Sequence, residues 1–161
     1  MTFKRPTTQS RVIASVVGLM LFMGLTTACN NGTLANVAKA ELAISTACSA
    51  AFQTVSTAAA ANPPLISQAD ANNIIGILLQ IEKANAQAET ATAAITTLNA
   101  SNQASLLNII QPIQAAIAGA INTGAINITD PNTKTAVLAS LTAVQVAVTA
   151  VVTLIQQVKT S

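Results

Sequence analysis

The chain reads as an all-α protein, an antiparallel up-down four-helix bundle, on three observations. Apolar residues recur at alternating steps of three and four through four long stretches, Gly and Pro fall sparsely and mostly between those stretches, and the connections are short. Steps of three and four return side chains to one face of an α-helix, so each helix carries a single apolar seam that its neighbours must cover. Short connections bring consecutive helices back alongside one another.

The first seam is Leu34, Val37, Ile44, Cys48, Phe52 and Val55, with Glu41 as its exception, and it predicts a helix over about 33–61 that Asn62-Pro63-Pro64 ends. The second, Ile74, Ile77, Ile81, Ala84, Ala88, Ala91, Ile95 and Leu98, predicts a helix over about 67–99. Ser67 followed by Asp70 opens it in the manner of a capping box, with Asp in place of Glu. Leu106, Ile109, Ile113, Ile117 and Ile121 form the third seam, on a helix over about 102–122 entered through a turn at Asn99, Ser101 and Asn102. Pro112 lies inside it, removing a backbone hydrogen bond and crowding the preceding turn, so a kink or break is expected there. Thr123–Thr129 (TGAINIT) is the longest irregular stretch expected. The fourth seam, Val137, Leu141, Val144, Val148, Val151, Ile155 and Val158, predicts a helix over about 131–159, with Asp130 as N-cap and Pro131 at the first helical position.

Two stretches of the fourth helix admit another reading. Val144-Gln145-Val146-Ala147-Val148-Thr149 alternates as a strand does and is β-branched, but the steps of three and four persist over about 20 residues, longer than most strands. Ala136–Ile155 carries no charge and is long enough to cross a bilayer. A buried bundle helix, with Ser140, Thr142, Gln145, Thr149 and Thr153 on the outer side, is the reading preferred.

The first 28 residues have the character of an export signal. Lys4, Arg5 and Arg11 precede an uncharged apolar run, Val12–Leu25, which gives way to Thr26, Thr27, Ala28 and Cys29. A positive flank, a short apolar stretch and a small-residue exit mark a secretory signal, and the run is shorter than the roughly 20 residues of a spanning helix. Leu25-Thr26-Thr27-Ala28-Cys29 resembles the lipobox of bacterial lipoproteins, in which the cysteine is acylated and becomes the first residue of the mature chain. The resemblance covers this signal only, and Thr26 stands where that family usually has Leu, Val or Ile. It implies a lipid on Cys29, residues 29–32 as a tether, residues 33–161 as the bundle domain, and residence in the bacterial cell envelope. Asn30 in place of Asp after the cysteine implies the periplasmic face of the outer membrane in a two-membrane cell. Three acyl chains, at roughly 0.8 kcal/mol per buried CH₂, would make detachment negligible. Ordinary cleavage after Ala28 would instead release a soluble secreted protein.

Outside that segment, Lys39, Lys83, Lys134 and Lys159 face Glu41, Asp70, Glu82, Glu89 and Asp130, one negative charge net. There is no basic stripe and, beyond Phe52, no aromatic residue on which a base could stack, so no nucleic-acid partner is expected. With no His in the chain, no metal, cofactor or catalytic residue is assigned and the chain is read as a non-enzyme. Glu82 and Glu89, about 10 Å apart along one helix, read as a solvated face rather than an acid–base pair. The oxygen-rich run Asn127–Thr133 reads as helix capping before calcium. Cys48 falls on the first seam about 22 Å along the helix, too far for a ready disulfide with Cys29, and reads as a small buried hydrophobe. Thr, Asn and Gln on the outer faces leave weak self-repulsion, which suits contact with a protein partner or with itself. The expected function is therefore a lipid-anchored structural or interaction protein. Insertion of residues 136–155 into lipid, or carriage of a small apolar ligand between the helices, are the alternatives.

Overall fold

The computed structural model describes residues 34–157, apart from the side chains of 123–126, and these residues form four α-helices joined by short connections. We number them α1 (Leu34–Ala59), α2 (Gln68–Ala93), α3 (Ala100–Asn127) and α4 (Pro131–Gln157). No strand occurs among the described residues, and Val144–Thr149 lies within α4. The helix reading of that stretch holds because the seam, not local β-propensity, decides which conformation can bury Val144 and Val148. Each helix packs on two others: α1 on α2 and α4, and α3 on α2 and α4. The ring closes around one continuous core, a four-helix bundle.

Caps set several ends. Ser67 N-caps α2 by accepting the Asp70 amide at 3.0 Å, while the Asp70 carboxylate accepts the Ser67 hydroxyl. The outer oxygen of Asp70 also accepts the Asn127 side-chain amide at 2.6 Å, tying the start of α2 to the end of α3. Asn99 caps α3 through its side chain, which accepts the amides of Ser101 and Asn102, and Asn102 reaches back to the Asn99 amide at 2.8 Å. The reciprocal pair makes a full capping box from two asparagines. Asp130 accepts the Thr133 amide at 2.7 Å at the entry to α4, and this bond holds its carboxyl below the usual carboxylate range.

Two boundaries depart from the sequence expectation. α2 ends at Ala93, six residues early, because Asn99 acts as the N-cap of the next helix and the chain must turn before it. α3 continues through most of TGAINIT to Asn127, and the connection shrinks to Ile128–Asp130. The helix runs on past Gly124 to Asn127, and Ile128 anchors the exit by burying its side chain. Pro112 lies inside α3, which is helical on both sides of it.

The seams are buried in three of the four helices much as their spacing implies. α4 buries Val137, Leu141, Val144, Val148, Val151 and Ile155, and turns Thr142, Gln145, Thr149 and Thr153 outward. α3 buries Leu106, Ile113 and Ile117 as expected but uses Ile110 and Ala120 where Ile109 and Ile121 were expected, and these two are only half-buried. α1 buries Val37, Ile44, Cys48 and Val55, while Phe52 is 41 % exposed and Ala51 takes the inward position. α2 differs most, with Ala71, Ile74, Leu78, Ile81, Asn85, Ala88 and Thr92 inward. Its steps are a strict three–four alternation, whereas the expected series slipped onto Ile77, Ala84 and Ala91.

Leu141 is fully buried and Phe52 is not. Leu141→Ala should therefore lower unfolding stability by about 2–5 kcal/mol. Phe52→Ala should cost about 1 kcal/mol or less. Urea denaturation followed by circular dichroism measures both, and equal losses would mean that the aromatic ring, not Ala51, faces the core.

Candidate functional site: a buried polar cluster between α1 and α2

Where α1 meets α2, four polar side chains interrupt an otherwise apolar interface. Glu41 occupies a seam position of α1 and is 1 % exposed, and Asn85 occupies one on α2 and is fully buried. The Thr92 hydroxyl, also buried, donates to Glu41 Oε1 at 2.7 Å. Asn85 Nδ2 reaches three acceptors: the Glu41 carbonyl at 3.0 Å, Ser45 Oγ at 3.1 Å and Glu89 Oε1 at 2.8 Å. Two of those acceptors have no hydrogen to give, which fixes the orientation of the Asn85 amide.

The cluster holds more acceptors than donors. Among the described residues Glu41 Oε2 and Asn85 Oδ1 are buried with no hydrogen-bond partner. An unpaired buried oxygen costs about 1–3 kcal/mol, and more if it carries charge. No cation takes part in this hydrogen-bonding set. Burial therefore dominates the Glu41 carboxyl and pushes its pKa up to about 7; the Thr92 hydrogen bond pulls the other way, and the charge of Glu89 adds to the rise. Glu82, two turns before Glu89 on the same face of α2, is raised in the same direction, first by partial burial and then by Glu89.

Glu89 is exposed, as a solvated face requires, yet its carboxylate also closes the rim of the cluster through Asn85. Cys48 lies buried on the α1 seam, and burial, with the nearby Glu82 charge, pushes its thiol up to about 12. That is the opposite of an activated nucleophile. In the run Asn127–Thr133, Asn127 is spent on Asp70, Ile128 on the core and Asp130 on capping α4. Among the described residues no three His, Cys, Asp or Glu side chains gather as a metal site. A shallow open groove on the outer side of α2 is lined by Lys83, Ala86, Gln87, Thr90, Ala91 and Ala94. Cys29 lies outside the described residues, as does Val158.

Glu41 stood out in the sequence as a charge within an apolar seam. Asn85 and Thr92 did not, because Ala84 and Ala91 offered an equally regular apolar path beside them. Continuing the steps Ala71, Ile74, Leu78, Ile81 strictly would have placed both polar residues on the seam.

No protein-family model, curated protein or solved structure matches this chain, so its functional reading rests on its own residues.

Thr92→Val keeps the shape but removes the one side-chain donor to the carboxyl, and should cost about 1–3 kcal/mol of stability. Adding Glu41→Leu should recover most of that loss, since an apolar pair needs no partner. A double-mutant cycle in urea reads the coupling, and additive losses would mean the two groups do not depend on each other. Separately, in a Cys29→Ser background, Cys48 should stay unreactive toward a dipyridyl disulfide reagent at pH 5 until denaturant unfolds the chain.

Proposed function

We propose that the protein is a lipid-anchored helical bundle of the cell envelope, non-catalytic, which presents low-charge helix faces to a protein partner or to a second copy of itself. One observation carries the reading: α4, which is long and apolar enough to cross a bilayer, has its seam from Val137 to Ile155 buried against the other helices. The domain thus has no need of lipid to hide its apolar residues, and the acyl group on Cys29 supplies the membrane attachment. In a two-membrane cell, Asn30 favours the periplasmic face of the outer membrane. An antiparallel up-down order is supported by reversed pairing along the helices. Glu41 meets Thr92 and Ser45 meets Asn85, Gln103 near the start of α3 reaches the Ile155 carbonyl near the end of α4, and Asp70 meets Asn127. A kink at Pro112 follows from the hydrogen bond the ring removes.

The outer faces suit contact for a second reason. Thr46, Thr54, Thr90, Thr135, Thr149 and Thr153 each donate their hydroxyl to the carbonyl four residues back. A hydroxyl satisfied by its own helix exposes a methyl group and makes less claim on water, so these faces are less polar than their composition implies. Leu42, Leu79 and Val146 add exposed apolar area.

The same bonding favours one alternative, a membrane-active protein. Residues 100–122 and 131–157 are long and apolar enough to cross a bilayer, and threonines bonded to their own backbone enter lipid at reduced cost. Carriage of a small apolar ligand would require an internal cavity, and the groove on α2 is open to solvent instead.

Cys29→Ser should move the protein from the membrane fraction to the soluble fraction with its helical spectrum intact. Retention of the variant through alkaline carbonate washing would favour insertion, as would release of entrapped dye from liposomes by the purified variant.

A further inference from the structure

The buried cluster also has a direction in which it can be driven. Glu41 sits where two helices close, with one carboxylate oxygen paired and the other enclosed without a partner. A second enclosed acceptor, Asn85 Oδ1, lies in the same set. A proton on Glu41 turns one of these surplus acceptors into a donor and removes the charge from an apolar interface. Losing that proton leaves a carboxylate with a single hydroxyl as its support, beside the Glu89 carboxylate that holds the other side of Asn85.

We propose that Glu41 is a proton-operated latch on the α1–α2 interface: protonated, it lets the two helices close over it, and ionised, it drives them apart around Asn85 and Thr92 and admits water.

The charges around it do not offset this. On α1 the other charged residue is Lys39, which is exposed. α2 brings Glu82 and Glu89, both acidic, and the exposed Lys83, with Asp70 far off in its first turn. α3 carries no charged residue at all, and α4 carries only Lys134, in its first turn, within the described range. The nearest relief for an ionised Glu41 is therefore water, reached by opening the interface. The sign follows: a carboxyl whose pKa is about 7 when folded and 4.5 when free contributes stability that is whole below about pH 4.5. That contribution falls between pH 4.5 and 7 and is lost above 7.

Denaturant unfolding of the full chain between pH 5 and pH 8 tests the latch, together with hydrogen exchange corrected for the intrinsic effect of pH. The wild type should unfold more readily at pH 8, its unfolding constant rising on the order of 100-fold from pH 5. Glu41→Gln, which keeps the acceptor for Thr92 and cannot ionise, should lose most of that rise and be the more stable chain at pH 8. Glu41→Leu serves the same purpose should the amide fail to fold, and Glu82→Gln should keep most of the wild-type slope. Amides of residues 41–45 and 85–92 should lose protection at pH 8 ahead of those in α3. A pH-independent wild type, a slope that survives Glu41→Gln, or equal loss of protection in all four helices would overturn the proposal.

Discussion

Covering four apolar seams with one another is the constraint from which the rest of this structure follows. Beyond residue 28 the sequence has no tryptophan, tyrosine or histidine and one phenylalanine, Phe52, and that phenylalanine is half outside. Its core among the described residues is therefore made of Ala, Val, Ile and Leu, with Cys48. Residues of this size bury modest area each, but they let helices approach closely and gain dispersion contacts along their length. Burial is spread evenly along α1 and α4, the pair whose seams are fullest. No single bulky anchor exists to hold the bundle, so its cohesion depends on the periodicity being kept over every turn.

That dependence explains which parts of the fold were legible in the sequence. Periodicity and caps are local signals, and they revealed four helices, the Ser67 and Asp130 caps and the outward face of α4. The exact seam of α2 was ambiguous because Ala84 and Ala91 sit next to Asn85 and Thr92: alanine fits either side of a helix, so hydrophobicity alone cannot choose between adjacent registers. Phe52 was misplaced for the complementary reason. Its size argues for burial, yet α1 packs through Ala47, Cys48 and Ala51, and a ring there would hold the neighbouring helices apart. The end of α3 was hidden because the glycine in TGAINIT reads as a stop, whereas the helix runs on through it to Asn127.

The polar cluster was legible only at Glu41. Asn85 and Thr92 lie 44 and 51 residues further along the chain, and no local pattern connects them to Glu41. Its acceptor surplus is a property of three-dimensional closure: each residue alone is an ordinary polar side chain, and only their joint burial leaves two oxygens without donors.

Seams of small aliphatic residues hold helices together but discriminate poorly between registers, since a slide of one heptad replaces Val or Ala by much the same. The cluster adds that discrimination. Sliding α2 by seven residues in one direction would set Leu78 against Ser45 and the Glu41 carbonyl, in place of Asn85, and in the other would leave Asn85 among apolar side chains. Either way buried polar groups lose partners, at a cost comparable with a sizeable share of a small domain's total stability of about 5–15 kcal/mol. A buried carboxyl is a poor source of stability beside an apolar replacement. What leucine there could not provide is a set of polar partners that fits one register of α1 on α2 and, through the latch proposed above, an interface that responds to a proton.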